Sequence, residues 1–272
     1  MTRDREERAA RRGSRPRGAR RGVYILPSLF TVGNIFCGYV SMVRTTFGEY
    51  ETAALLILVA ALLDALDGRV ARATGASSEF GLQLDSIADV VSFAAAPALL
   101  VFSWSLSSFG RIGWAVSFLF VVCGALRLAR FNLQKRNIDR RYFIGMPIPA
   151  AAWVLAATVY ADPNPSDRFP EPFMDVMLLL LVALVSILMV SRLKYRSFKD
   201  FDMRSRRSYV YLLVPAVGLA LVALHPQAML MLGGFAYLLS GVLPRHWRAR
   251  KESPADIEKP VPAGTSGGKD GA

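Results

Sequence analysis

Apolar residues fill this chain in long blocks separated by short polar stretches. The blocks have the length, about 17 to 25 residues, of helices that cross the hydrocarbon core of a bilayer. Eight are present, at 26–47, 52–71, 82–106, 113–131, 147–160, 173–191, 209–224 and 227–243. The fifth is short, and Pro147 and Pro149 at its head either start it or kink it, as a bundle can tolerate. The pattern predicts an all-α fold, a polytopic transmembrane helical bundle. The first block does not end in a small-residue cleavage site, so it reads as a retained span rather than a removed signal.

Composition supports the bilayer as solvent, because 53% of the 272 residues are hydrophobic, too many for an ordinary soluble domain of this length. Cys37 and Cys123 fall inside apolar blocks, where a thiol behaves as a small hydrophobe, and two such residues make no disulfide framework. His225 and His246 sit at the ends of spans, too far apart in sequence for a histidine metal site.

Charge then orients the bundle. Arg11, Arg12, Arg15, Arg17, Arg20 and Arg21 precede the first span, and alternate loops carry Lys135, Arg136, Arg140 and Arg141, then Arg192, Lys194, Arg196, Lys199, Arg204, Arg206 and Arg207. The tail adds Arg245, Arg248, Arg250 and Lys251, whereas the opposite loops hold Glu51, Asp162, Asp167 and Glu171. Cytoplasmic loops collect the Lys and Arg excess, so both termini are expected in the cytoplasm. The net charge of +12 therefore follows loop parity and favours contact with anionic lipid over a nucleic-acid partner. The expected organisation is a disordered basic arm at 1–22, a transmembrane catalytic domain at 23–244 and a disordered tail at 245–272, rich in Pro, Gly and Ser.

Against this background four acids stand out. Asp64, Asp67, Asp85 and Asp89 lie in or beside segments built of Ala, Leu, Val and Ile. A charge at membrane depth costs about 3 kcal/mol or more, so such an acid faces a polar cavity or a partner. At about 100° per residue, 64, 67, 68, 71 and 72 share one broad helical face, and so do 81, 85 and 89. Between the helices the polar stretch 74–80 offers Gly75 as a stop and Ser77 or Ser78 as a cap. The two faces can then be turned toward each other, gathering four carboxylates into one pocket. Their mutual repulsion calls for cations, and oxygen-only ligation suits Mg2+ or Mn2+. Two such ions can clamp a diphosphate during displacement at phosphorus. Gly68 and Ala71 leave room on the same face, and Arg72 offers donors suited to phosphate. A set of interfacial acids paired with Arg69, Arg72 or later arginines is the structural alternative, and an ion-coupled carrier the functional one, although no inverted repeat is visible.

The spacing Asp64-x2-Asp67-Gly68-x2-Ala71-Arg72-x8-Gly81-x3-Asp85-x3-Asp89 resembles the signature of the CDP-alcohol phosphatidyltransferase family at eight fixed positions over 26 residues. The resemblance implies a helical bundle with six core spans, often dimeric, so that a count of eight leaves two extra spans at the C-terminal end. It implies that Asp64, Asp67 and Asp85 ligate a pair of divalent ions, that Asp89 lies against the metals and acts as the base, and that Gly68, Ala71, Arg72 and Gly81 line a CDP pocket. The segments 26–38, 124–132, 145–151 and 191–198 are similar to the bacterial branch of the family in which serine is the acceptor. That similarity implies CDP-diacylglycerol and L-serine as substrates, phosphatidylserine and CMP as products, and a site facing the cytoplasm in the bacterial inner membrane. Glycerol 3-phosphate, inositol or its phosphate, and choline are the other acceptors the same chemistry admits. Arg127 and Arg130, with Asn132 just beyond, close an otherwise apolar span; they either hold the acceptor carboxylate or lipid phosphates, or snorkel to the interface. Thr31 and Asn34 in the first span either reach the nucleotide pocket or bond to neighbouring helices.

Overall fold

A computed structural model of the chain describes residues 18–74, 79–134, 142–163, 171–191, 193–196, 218 and 220–242. The chain divides into a compact unit over Met1–Gly241 and a second over Val242–Ala272; every helix among the described residues belongs to the first, apart from the last residue of the final one. Among the described residues the architecture is helical apart from one short ribbon. The expected arm and tail lie outside the described residues, save that helix already runs through 18–22.

Helices α1 (Gly18–Thr46) and α2 (Tyr50–Thr74) form a long hairpin. Gly48, at φ 77°, supplies the left-handed residue that the tight connection needs, and an Arg44–Glu49 ion pair of 2.6 Å spans the turn. Small buried residues on α2, Ala53, Ala54, Ala60 and Ala61, let the helices approach closely. Ser41 Oγ accordingly reaches the Ala53 carbonyl at 2.8 Å, and Gly33 lies against Leu63.

The third span is a single rod from Glu79 to Trp104, and it is not uniform. Helix α3 (Glu79–Asp89) passes into a π-helical turn (Val90–Ala95) and then into α4 (Ala96–Trp104). Ser92, Phe93 and Ala94 in this wide turn are all buried in the interior. Here α1 approaches closely. A β-carbon on Gly38 would lie 2.4 Å from Ser92 Oγ and 2.8 Å from Ser92 Cα, while Ser92 Oγ donates to the Asn34 carbonyl at 2.9 Å. Gly38→Val is therefore expected to destabilise the protein by about 1–3 kcal/mol through overpacking. Gly233→Ala, at a site with nothing within 4 Å, should be neutral; the thermal midpoints of the purified variants in detergent check the pair.

A 3₁₀ turn (Leu106–Phe109) leads into α5 (Arg111–Gln134). Asp175 fastens this end of the bundle, accepting hydrogen bonds from Ser105 Oγ and, at 3.1 Å, from Ser108 Oγ. Helix α6 (Ile148–Ala161) begins where the extended Pro147 and the helical Pro149 predict a start, and it is the most enclosed helix, with Val154 to Ala157 all buried. Helix α7 (Glu171–Val190) packs beside it, and α8 (Pro226–Val242) closes on Trp153, whose Nε1 donates to the Leu230 carbonyl at 2.9 Å. A short antiparallel ribbon, Tyr142–Ile144 with Lys194–Arg196, is the extended pairing among the described residues. Most of the expected span at 209–224 falls outside them, although 220–224 is helical.

Among the described residues the rod Glu79–Trp104, Arg111–Leu133 and Phe173–Val190 are long and apolar enough to cross a membrane, and Ile148–Ala161 is a shorter apolar helix. The outward faces carry Phe36, Leu62, Ile87, Trp114, Phe118, Ile187 and Leu232, all exposed. Apolar side chains spread over so many helices would be a liability in water and are the expected covering of a bundle in lipid.

Candidate metal centre

The carboxylates are placed by helix periodicity. On α2, Asp64 and Asp67 are three residues apart and project from one side, and on α3 Asp85 and Asp89 lie one turn apart. Facing α2 and α3 brings Asp64, Asp85 and Asp89 together: each offers an oxygen, all within 4.8 Å of one another, from half-buried positions. The sequence led us to expect four acids in one pocket; the structure brings these three together, with Asp67 three residues from Asp64 along α2. Asp67 is 7% exposed and turned toward α1, where its Oδ2 accepts a hydrogen bond from Thr31 Oγ1.

Three anionic oxygens at this spacing fit a hard divalent cation. Mg2+ binds oxygen at about 2.0–2.1 Å, so ligand oxygens sit about 2.9 Å apart when adjacent and about 4.2 Å apart when opposite, and the three carboxylates would draw in on an ion held among them. Without a cation, three carboxylates this close and this shielded from water repel one another strongly. The donor set is hard, anionic and free of sulfur and nitrogen, and the cluster can hold a divalent metal. Such a centre can bind phosphate oxygens, and a carboxylate beside it can take a proton.

The remaining predicted residues are distributed around this point. Gly68 is half-buried on α2, and Gly81 is half-buried in the first turn of α3. Ala71 and Arg72 continue α2, but their side chains lie outside the described residues, as does the 75–78 connection with Gly75, Ser77 and Ser78. Thr31 and Asn34 are both buried, the first committed to Asp67 and the second carrying its carbonyl to Ser92. On α5, Arg127 is buried with its guanidinium 5.7 Å from the Phe131 ring centre, and Arg130 is half-buried. Asn132 Nδ2 donates to Ser86 Oγ at 3.0 Å.

Two residues at the site escaped sequence reasoning. Ser86 links α5 to the acidic face of α3, and Ser92 seats the π turn on α1. Ser86 carried a signal in its place one residue after Asp85. Ser92 carried none, because a π turn leaves no mark in apolar periodicity.

Comparison with known proteins agrees with this geometry. Residues 24–239 match the family model of CDP-alcohol phosphatidyltransferases. The chain is 38% identical over 221 residues to the CDP-diacylglycerol–serine O-phosphatidyltransferase of Helicobacter pylori, covering 81% of this chain and 91% of that protein. It is 34% identical to the enzyme of that name from Bacillus subtilis, over 64% of this chain and 91% of that one. It is 36% identical to the archaetidylserine synthase of Methanothermobacter thermautotrophicus, over 62% and 69% respectively.

Proposed function

Since the chain belongs to the CDP-alcohol phosphatidyltransferase family, we propose that this membrane enzyme transfers the phosphatidyl group of CDP-diacylglycerol to the hydroxyl of L-serine, giving phosphatidylserine and CMP. The observation that carries the chemistry is the convergence of Asp64, Asp85 and Asp89 within 4.8 Å. The acceptor rests on the names of relatives at 34 to 39% identity over much of the chain.

Asp64, Asp67, Asp85 and Asp89 hold Mg2+ or Mn2+, two ions per site, with Thr31 fixing the Asp67 carboxylate from α1. When bound, the ions supply positive charge to the diphosphate and to the oxygen that leaves with CMP. Gly68, Ala71, Arg72 and Gly81 line the CDP pocket, where the absence of a side chain at the two glycines gives the nucleotide room. Asp89 accepts the proton of the serine hydroxyl. The hydroxyl oxygen forms a bond to the phosphorus that carries diacylglycerol, and the bond from that phosphorus to the CMP oxygen breaks. Arg127, Arg130 and Asn132 contact the acceptor or its phosphates, and Asn34 with Thr31 borders the nucleotide.

Six spans, α1, α2, the Glu79–Trp104 rod, α5, α6 and α7, form the core, with two more contributed by 209–224 and α8 to make eight. Both termini and the carboxylates face the cytoplasm of a bacterial cell, in the inner membrane, and the basic arm and tail meet anionic lipid. The protein works as a homodimer.

The test is CMP release by the purified protein in detergent from CDP-diacylglycerol, with Mg2+ or Mn2+ and a panel of alcohols. CMP and phosphatidylserine should form with serine and stop when EDTA is added. Release with glycerol 3-phosphate, inositol, inositol phosphate or choline instead would move the acceptor. No release with any alcohol, together with solute movement across sealed vesicles, would replace the enzyme with a carrier.

A further inference from the structure

At its C-terminal end, α5 holds two buried polar atoms that no described residue satisfies, the Asn132 amide oxygen and the Arg127 Nε. Neighbouring bonds fix which way the Asn132 amide points. Ser86 Oγ lies 3.0 Å from the Leu82 carbonyl, which can only accept, so the hydroxyl proton is committed there. Ser86 then has only a lone pair to offer Asn132, and the atom facing it at 3.0 Å must be the amide nitrogen. Oδ1 is thereby turned away from Ser86 and left as a buried acceptor in need of a donor. Such atoms are rare, because burial without a partner is destabilising, and they point to a ligand.

Arg127 supplies the complement. The residue is 9% exposed, and its guanidinium stands over Phe131 within Coulombic reach of Asp89. Ser86, the anchor of Asn132, sits one residue after Asp85 and one turn before Asp89. A buried cationic donor therefore lies within reach of Asp89, and a buried acceptor hangs from Ser86 on the same helix. Serine has three groups to match: a hydroxyl, an ammonium that only donates and a carboxylate that only accepts. We infer that Asn132 Oδ1 accepts a hydrogen bond from the α-ammonium of the acceptor while Arg127 holds its α-carboxylate, so that the end of α5 selects a zwitterionic acceptor. The inference rests on the serine-transfer reading and adds the means of selection. Inositol, glycerol 3-phosphate and choline each lack at least one of the two groups.

The experiment measures KM for L-serine and the inhibition constants of glycerate, which lacks the ammonium, and serinol, which lacks the carboxylate. CMP release is followed at fixed CDP-diacylglycerol and metal. Asn132→Ala should raise KM for serine about tenfold to a hundredfold, leave glycerate inhibition unchanged and so collapse the preference for serine over glycerate. Arg127→Gln should do the mirror image, collapsing the preference for serine over serinol. If Asn132→Ala does not fold, Ser86→Ala, which removes the anchor and keeps the amide, should erode the same preference less severely. An unchanged preference overturns the inference. So does an equal loss of serine and glycerate recognition with a raised metal requirement, which would make Oδ1 a metal ligand. A wild-type protein that forms no product with serine would remove the parent reading and this inference with it, whereas a serine-using wild type with unaltered preferences in all three variants sinks the inference alone.

Discussion

Asp85→Asn is expected to lower CMP release by about a thousandfold or more while leaving the metal-free protein as stable as the wild type or more so. The two effects have opposite signs because they come from one cluster. Asp64, Asp85 and Asp89 repel one another when no cation lies among them, so neutralising one relieves the fold. The same substitution removes an anionic ligand, and a catalytic metal contributes several kcal/mol of charge stabilisation to the transition state, hence about three powers of ten or more in rate. Part of the activity should return at high Mg2+ or Mn2+, because Asn keeps an oxygen but not its charge. CMP release as a function of metal concentration, with thermal midpoints in EDTA, checks both halves. Activity within tenfold of wild type at limiting metal would remove Asp85 from the centre.

Asp89→Asn should cost about a hundredfold to ten thousandfold, the usual range for loss of a general base. The signature differs from that of Asp85. Added metal should restore only the share lost with Asp89 as a ligand and leave most of the deficit, since the larger loss is the group that receives the hydroxyl proton. A loss that saturating metal repairs would make Asp89 a ligand only and send the proton elsewhere. Both variants fold in the same environment, so their contrast does not depend on absolute specific activity.

The helical bundle was legible because bilayer helices announce themselves by length and apolar content, and Asp64, Asp85 and Asp89 were legible because intramembrane acids are costly. Periodicity put Asp64 and Asp67 on one side of α2, and Asp85 and Asp89 one turn apart on α3. It could not tell which of two acids on one face of α2 would turn to α3 and which to α1, because that depends on the rotation of three helices about one another. Thr31, the partner of Asp67, was noticed only as a polar residue in an apolar span, and sequence could not choose between a nucleotide contact and an interhelical bond. The structure supplies an interhelical bond. The link from Asn132 to Ser86 was hidden for the same reason: forty-six positions separate them, and neither has a local pattern naming the other. Asp175 and its serines were hidden too, because a single acid at a span end reads as an ordinary interfacial charge.

The π turn at Val90–Ala95 makes residue count, as well as residue identity, part of how this site is written. Its extra residue offsets the phase of the acidic half of the rod from that of the half seated in the core. One residue fewer between Asp89 and Pro97 would let the rod close into regular α-helix and would swing Asp85 and Asp89 by about 100° relative to the core half. All four aspartates would still be present in the chain, in spans of unchanged polarity, with two of them facing away from Asp64. A chain can therefore keep every letter of the acidic signature and lose the centre through a one-residue error in spacing that hydropathy would not register.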